Sequence, residues 1–217
     1  FATPVSKSEV TMDNDAYQEV TDPSAYVKFK LVSENAARIH EGASEISLLA
    51  WTTTPWTLVG NMALAVNPEL EYGLYWNEKG EFVVAGTGFA KEQEKWEELA
   101  KFKGEELVGL EYEALEVEGG VKLVDWQKFD KGYYESRAEN AHRVWGAEFV
   151  SDSDGTGIVH IAPAYGEDDY ELGRKCGVPC VDVLDEYGDY LPGADDGLRA
   201  AGVRPNEEGQ IQIWEAN

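Results

Sequence analysis

Residues 46–54 read ISLLAWTTT, an apolar run with no polar face that ends in three hydroxyls. A strand apolar on both sides has to be covered above and below, so it belongs inside a sheet and commits the chain to a layered fold. AYVKFKLV (25–32) sets Tyr26, Lys28 and Lys30 against Val27, Phe29 and Leu31, the period-two pattern of a strand with one wet face. MALAV (62–66), YGLYW (72–76) and FVVAG (82–86) give three further strands, the last two joined by a hairpin turn over Asn77 to Gly80.

The period then changes. KEQEKWEELAKF (91–102) gathers Trp96, Leu99 and Ala100 on one face with Gly104 just beyond, which predicts an amphipathic helix. Short apolar runs alternate with turns from 105 to 150. GIVHIAP (157–163) is a strand stopped by a proline. EDDYELGRKCG (167–177) is a short helix, with acids first, Arg174 and Lys175 near its end and Gly177 as its stop. A hairpin around Gly188, a helix near 196–201 and a strand QIQIW (210–214) complete the pattern. Many short strands with few helices predict a single α+β domain over 1–217, β-rich and built on a curled or closed, barrel-like sheet with peripheral helices. Residues 1–24, polar and rich in Ser, Thr and Asp, are expected to be loosely held.

Charge narrows the partners. The 42 acidic against 18 basic residues among 217 give a net charge of -24, spread along the chain. Such a surface repels polyanions, so a nucleic acid would have to be gripped with help from elsewhere. Cys176 and Cys180, four apart, with only His40, His142 and His160 besides, make no zinc ligand set and demand no disulfide, which points to a reducing cytoplasm. No apolar run is long enough to span a bilayer and no signal peptide is evident. The first residue is Phe1, and an excised piece of a larger protein is expected.

Two strand ends carry candidate chemistry. Thr54 followed by Pro55 is an N-cap and first-turn pair, so 55–60 should turn helically and bring hydroxyls and amides together. At the second, alternation puts Ile158, His160 and Ala162 on one face before a turn into the helix that begins with Asp168 and Asp169. A carboxylate at a helix N-terminus is expected to be held ionised by the dipole and amides around it. Each element also has a plain structural reading: threonines are good strand formers, His160 suits a core and the two acids suit a cap. No Walker motif, dinucleotide loop, serine elbow or Cys-His dyad is present.

Taken together, WTTTPWTL (51–58) and GTGIVHIAPAYGEDDY (155–170) resemble the two signature segments of the editing domain inserted in isoleucyl-tRNA synthetases, and VTDPSAYVKFKL (20–31) resembles the lead-in to that domain. Valyl and leucyl editing domains carry an arginine before the proline of the threonine motif, where this chain has Thr54, and Trp56 likewise points to the isoleucyl branch. The resemblance implies a deacylase acting on tRNA mischarged with valine at its terminal adenosine, with Thr52, Thr53, Thr54 and Asp169 as catalytic residues and Trp56, Asn61, His160 and Asp168 binding substrate. Asp169 would pair with the substrate ammonium and His160 would fill the volume needed by isoleucine's extra methylene. The resemblance further implies no metal or cofactor, a monomeric fragment whose partners are mischarged tRNA and the remainder of the parent synthetase, a cytoplasmic setting, and no aminoacylation by this segment alone. Ile161 stands where the family commonly has Thr, and Ala164 and Tyr165 where it has Gly and His, all at the pocket rim. Editing in the valyl or leucyl branch, and a noncatalytic barrel-like binding module whose Thr and His segments are core packing, are the alternatives.

Overall fold

The computed structural model describes residues 24–43, 45–117, 120–151, 153 and 155–200. In chain order its strands are β1 Ala25–Lys30, β2 Ile46–Thr52, β3 Ala63–Val66, β4 Glu71–Trp76, β5 Phe82–Gly86, β6 Glu97–Lys103, β7 Glu116–Val117, β8 Val121–Lys122, β9 Arg143–Gly146 and β10 Ile158–Ile161. The helices are α1 Ser33–Ile39, α2 Thr87–Ala90, α3 Glu167–Cys176 and α4 Asp196–Ala200, with a 3-10 turn over Pro55–Gly60.

The apolar run at 46–52 sits where its pattern requires, inside a five-stranded sheet ordered β1-β2-β5-β4-β6. β2 pairs antiparallel with β1, from Ala25 opposite Thr52 to Lys30 opposite Ser47, and parallel with β5. A smaller sheet, β10-β3-β9, lies against it. The four residues of β3 are all buried because both of its faces are covered. Leu64 and Val66 meet Phe29, Leu48, Leu74 and Val84 of the large sheet. Ala63 and Ala65 face the opposite way, into a second core with Ile161, Leu172 of α3, Val178 and Val181. The small sheet is therefore a middle layer, and small alanines on its second face let the helix and the C-terminal segment approach closely.

Two sequence expectations are corrected. The first is the helix over 91–102: this stretch holds a turn and then β6, paired antiparallel with β4 so that Ala100 lies opposite Leu74 and Phe102 opposite Tyr72. Ala100 and Phe102, two apart, pack on the core, while Trp96 stacks near Tyr75 and Phe89. The open edge of β4 offers a row of backbone partners, and pairing with it outweighs the local helix preference of Glu, Lys and Ala. The second is the closed sheet. Among the described residues no sheet closes on itself; β1 and β6 are the outer strands of the five-stranded sheet, whose core face is covered by the small sheet β10-β3-β9 instead of by a closing barrel wall. The hairpin at Gly188 forms, with Leu184 bridged to Tyr190. QIQIW and, Ser24 excepted, residues 1–24 lie outside the described residues.

Tyr72 ties the layers together. Its fully buried hydroxyl accepts the Asn67 N–H at 3.0 Å and donates to the Gly157 carbonyl at 2.7 Å, joining the β3–β4 turn to the chain entering β10. Tyr72→Phe leaves both backbone groups without that partner inside the core. It is expected to cost ~1–3 kcal/mol in equilibrium urea unfolding with an unchanged denaturant slope; a loss below a few tenths of a kcal/mol would show that the hydroxyl does not hold the layers.

Candidate active site

Antiparallel pairing of β10 with β3 sets His160 opposite Leu64, so its ring points between the two sheets toward the end of β2. There the chain leaves Thr52, is broken by Pro55 and winds through the 3-10 turn, so the threonines are stacked at a strand end instead of continuing a ladder. A cleft of about 410 Å3 opens at this point. Its lining comes from the end of β2 and the 3-10 turn (Trp51, Thr52, Thr53, Thr54 and Thr57), from Phe149, Val150 and Ser151, from Val159 and His160 of β10, and from Tyr165, Gly166 and Asp169 at the start of α3.

The hydroxyls form one connected group. Thr52 Oγ1 accepts the Thr54 N–H at 3.1 Å and lies 3.3 Å from Thr54 Oγ1. Thr54 Oγ1 is 3.3 Å from Thr57 Oγ1, which donates to the Thr54 carbonyl at 2.8 Å. Thr57 Oγ1 is also 2.7 Å from His160 Nε2. Thr54 holds the N-cap position of the 3-10 turn, yet its hydroxyl caps no N–H and goes to its neighbouring threonines. Behind the ring, Asn61 Nδ2 reaches His160 Nδ1 at 3.1 Å and the Ala63 carbonyl at 3.0 Å, and its Oδ1 accepts the Tyr112 hydroxyl at 2.8 Å. His160 is 6% exposed, and burial pulls its pKa down to about 4, so the imidazole is neutral at pH 7.

Asp169 departs from expectation. Gly166, not an acid, is the N-cap of α3, and Asp169 receives a single amide, the Ala162 N–H at 2.8 Å on Oδ2. Burial outweighs that bond and the helix dipole, pushing its pKa up to about 6, with the Asp168 charge adding to the rise. The carboxyl is thus poorly solvated instead of firmly held ionised. Among the described residues no lysine or arginine forms an ion pair with it.

The other candidate residues fall in different places. Thr53 and Thr54 are exposed on the cleft and Thr52 is buried at its base. Asn61 does not line the cleft and stands behind His160. Trp56 turns away, edge-on to Tyr165 with ring centroids 5.3 Å apart, while its carbonyl accepts the Tyr190 hydroxyl. Asp168 is exposed on a neighbouring depression beside Glu171 and Arg174. Tyr165 forms the rim, its hydroxyl held by the Val183 N–H at 2.8 Å. Ile161 is core, and Ala164 lies in the turn. The sequence reading missed Thr57 as the junction of the network, although it lies within WTTTPWTL. It also missed Tyr112 and the wall at 149–151, which no motif marks. Among the described residues no three His, Cys, Asp or Glu side chains converge as a metal site would require.

Comparison with known proteins places the chain among the aminoacyl-tRNA synthetases. It is 35% identical over 196 residues to the isoleucine-tRNA ligase of Methanococcus aeolicus, covering 84% of this chain and 17% of the relative. It is 40% identical over 190 residues to that of Mycobacterium leprae, covering 86% and 16%, and 37% identical over 189 residues to that of Clostridium acetobutylicum, covering 87% and 16%. The chain belongs to the isoleucine-tRNA ligase family and spans less than a fifth of the length of these relatives. No family model matches it. Similar solved structures include the editing domains of the cytosolic leucyl-tRNA synthetases of P. knowlesi (TM-score 0.48, 17% identity, 68% of this chain and 60% of that one) and P. falciparum (TM-score 0.47, 15% identity, 68% and 63%). No helix among the described residues is long and apolar enough to cross a membrane.

The buried titrating groups make stability depend on pH with opposed signs. His142 and His160 both fall to about 4 through burial, against 6.5 for a free histidine. Between those values the unfolded chain binds protons that the folded chain does not, so their contribution rises with pH across about 4 to 6.5 and is lost as pH falls. Asp169, raised from 3.8 to about 6, binds its proton in the folded state, so its contribution is present at low pH and is lost between 3.8 and about 6. Urea unfolding across pH 4 to 7 is expected to give a shallower rise in stability for His160→Gln and a steeper one for Asp169→Asn. Parallel curves for either variant and the parent chain would remove the assigned shift.

Proposed function

We propose that this segment is the editing domain of its ligase and hydrolyses the ester of a misacylated tRNA, with valine carried on isoleucine tRNA as its substrate. The observation that carries the reading is Asp169: a desolvated carboxylate on the lining of a cleft, bonded to one amide and ion-paired to no cation among the described residues. An α-ammonium group entering the cleft supplies the missing opposite charge and stabilises the ionised carboxylate, lowering its pKa again. The aminoacyl end of a charged tRNA carries that ammonium two bonds from its ester carbonyl. Held by Asp169, the ester faces the threonine hydroxyls, which offer donors to the carbonyl oxygen and acceptors to an attacking water. Water adds to the carbonyl carbon, the bond to the ribose oxygen breaks, and the amino acid and the tRNA hydroxyl are released.

His160 serves in this reading as a wall. Its two ring nitrogens are both engaged by protein groups, and burial keeps the ring neutral, so it is poorly placed to take a proton from water. Volume is then the basis of selection. One methylene separates valine from isoleucine and is worth only ~1–3 kcal/mol in a binding pocket; isoleucyl-tRNA synthetase is the worked example of that limit, and a second site admitting only the smaller product lifts it. The net charge of -24 assigns the gripping of tRNA phosphates to other parts of the ligase.

In the full-length ligase, Asp169→Ala is expected to slow hydrolysis of valyl-tRNA by roughly 10- to 100-fold, the worth of a charge-assisted contact of ~1.5–3 kcal/mol. Asp168→Ala, on the exposed side of α3, is expected to leave the rate within about threefold, since a screened surface charge contributes little. Equal losses from the two acids would overturn the assignment of the ammonium to Asp169.

His160→Ala tests the wall. A steric residue, once truncated, leaves room for the larger side chain, so the variant is expected to keep hydrolysing valyl-tRNA and to begin hydrolysing isoleucyl-tRNA. Removal of a general base would cost on the order of 100-fold or more on every substrate. A variant that loses the valyl reaction while still sparing the isoleucyl ester therefore refutes the steric role, and a panel of mischarged tRNAs shows which amino acid the cleft accepts.

A further inference from the structure

We propose that Asn61 is a positioning residue that never meets substrate: clamped between the Ala63 carbonyl and the Tyr112 hydroxyl, it fixes His160 as the Nε2–H tautomer and thereby sets the direction of the hydroxyl protons on the threonines that face the cleft. The inference deepens the editing reading and rests on it for its catalytic consequence. Its structural content stands apart from that reading.

The protons can be assigned by elimination. The Ala63 carbonyl only accepts, so the Asn61 atom 3.0 Å from it is the amide nitrogen. Turning the amide over would set Oδ1 against that carbonyl. The second N–H of the same group points at His160 Nδ1, 3.1 Å away, which must present a lone pair. A neutral imidazole with an accepting Nδ1 carries its hydrogen on Nε2, and Nε2–H donates to Thr57 Oγ1 at 2.7 Å. Thr57 has already received that hydrogen and therefore sends its own to the Thr54 carbonyl at 2.8 Å. Its remaining lone pair is left for Thr54 Oγ1, which stands exposed at the cleft.

The clamp is rigid because Tyr112 is. Its ring is buried with edge contacts to Phe29 and His142, at 5.3 Å and 5.6 Å between centroids, and its backbone N–H is held by the His142 carbonyl at 3.0 Å. Tyr112 OH supplies Asn61 Oδ1 with a donor, so every hydrogen-bonding atom of the amide is used in one orientation. In the opposite tautomer an Nδ1–H would face the amide N–H, and Thr57 would be called on to donate to His160 and abandon the Thr54 carbonyl. The clamp thus keeps a ring lone pair from being turned toward the threonines. A network satisfied in one direction only is what a preorganised set of donors and acceptors needs.

Nitrogen-15 NMR of the histidines in this chain, combined with deacylation kinetics of the full-length ligase, tests the proposal. The parent chain is expected to show His160 with a pyridine-type Nδ1 and a pyrrole-type Nε2 at pH 7. In Asn61→Ala both nitrogens are expected to move toward tautomer-averaged positions, and kcat for valyl-tRNA to fall by about tenfold with KM unchanged, as for a hydrogen bond acting on the reacting groups through an intermediary. Tyr112→Phe, which keeps the ring packing and removes only the donor, is expected to shift the nitrogens the same way by less. The proposal is overturned by a pyrrole-type Nδ1 in the parent chain, which needs no variant to fold. It is also overturned by unchanged His160 nitrogens in Asn61→Ala, or by a rise in KM with kcat preserved, the mark of a direct substrate contact. A parent ligase with no deacylation at all would defeat the editing reading, while the nitrogen shifts would still decide the clamp.

Discussion

Burial of β3 on both faces is the constraint on which the rest of this molecule depends. Leu64 and Val66 close the core against the five-stranded sheet, while Ala63 and Ala65 let α3 and the segment after it close the other side. A strand with no solvent face cannot shift register by one residue without trading leucine and valine for alanine on both sides. That fixes β10, paired along it, and with β10 the direction of His160. The same middle layer supplies the carbonyl of Ala63 to Asn61, so the packing that stabilises the domain also sets the polar network behind the cleft.

Around that layer, the cleft gathers titratable groups whose pKa values burial moves. Burial lowers His160 to neutrality and raises Asp169 toward protonation, opposite shifts from one cause, because desolvation penalises whichever form carries charge. The histidine's polar atoms are satisfied by Thr57 and Asn61, whereas Asp169 is left with one amide. The difference between a closed network and an open carboxylate, a few residues apart on β10 and α3, separates the part of the site that shapes the cleft from the part that awaits a ligand. Strong acidity over the whole chain is compatible with this division: a negative field favours an ammonium group and opposes a phosphate backbone.

Much of the strand pattern was legible. The period-two run at 25–30, the apolar run at 46–52, the hairpin at Asn77 to Gly80 and the acid-first, basic-last helix closed by Gly177 all form where local chemistry places them. Residues 91–102 were misread because their helix propensity and their one-sided apolar residues agree with a helix, while the competing partner is the edge of β4, which is distant in the pattern. Thr57 lay inside a motif and was passed over, since nothing local distinguishes a threonine that joins a network from one that fills a turn. Tyr112 and the wall at 149–151 carried no signal, for they enter the site only through contacts made across the fold.

By itself, the sequence determined that the runs at 25–30, 46–52, 63–66, 72–76, 82–86 and 158–161 extend, where Pro55 and Gly177 stop the chain's elements, and that threonines, a histidine and acids would sit at strand and helix ends, because backbone restriction, capping and alternation act within a few residues. Its two motifs also carried membership in the isoleucine-tRNA ligase family. Only the tertiary structure decided that the sheet stays open, that Asp169 is desolvated and not firmly ionised, that Asn61 stands behind His160 instead of in the cleft, and that Trp56 turns away from it. Those outcomes follow from which surfaces are covered and which polar atoms are left to find partners, and burial of that kind is a property of packed layers that no short stretch of chain contains.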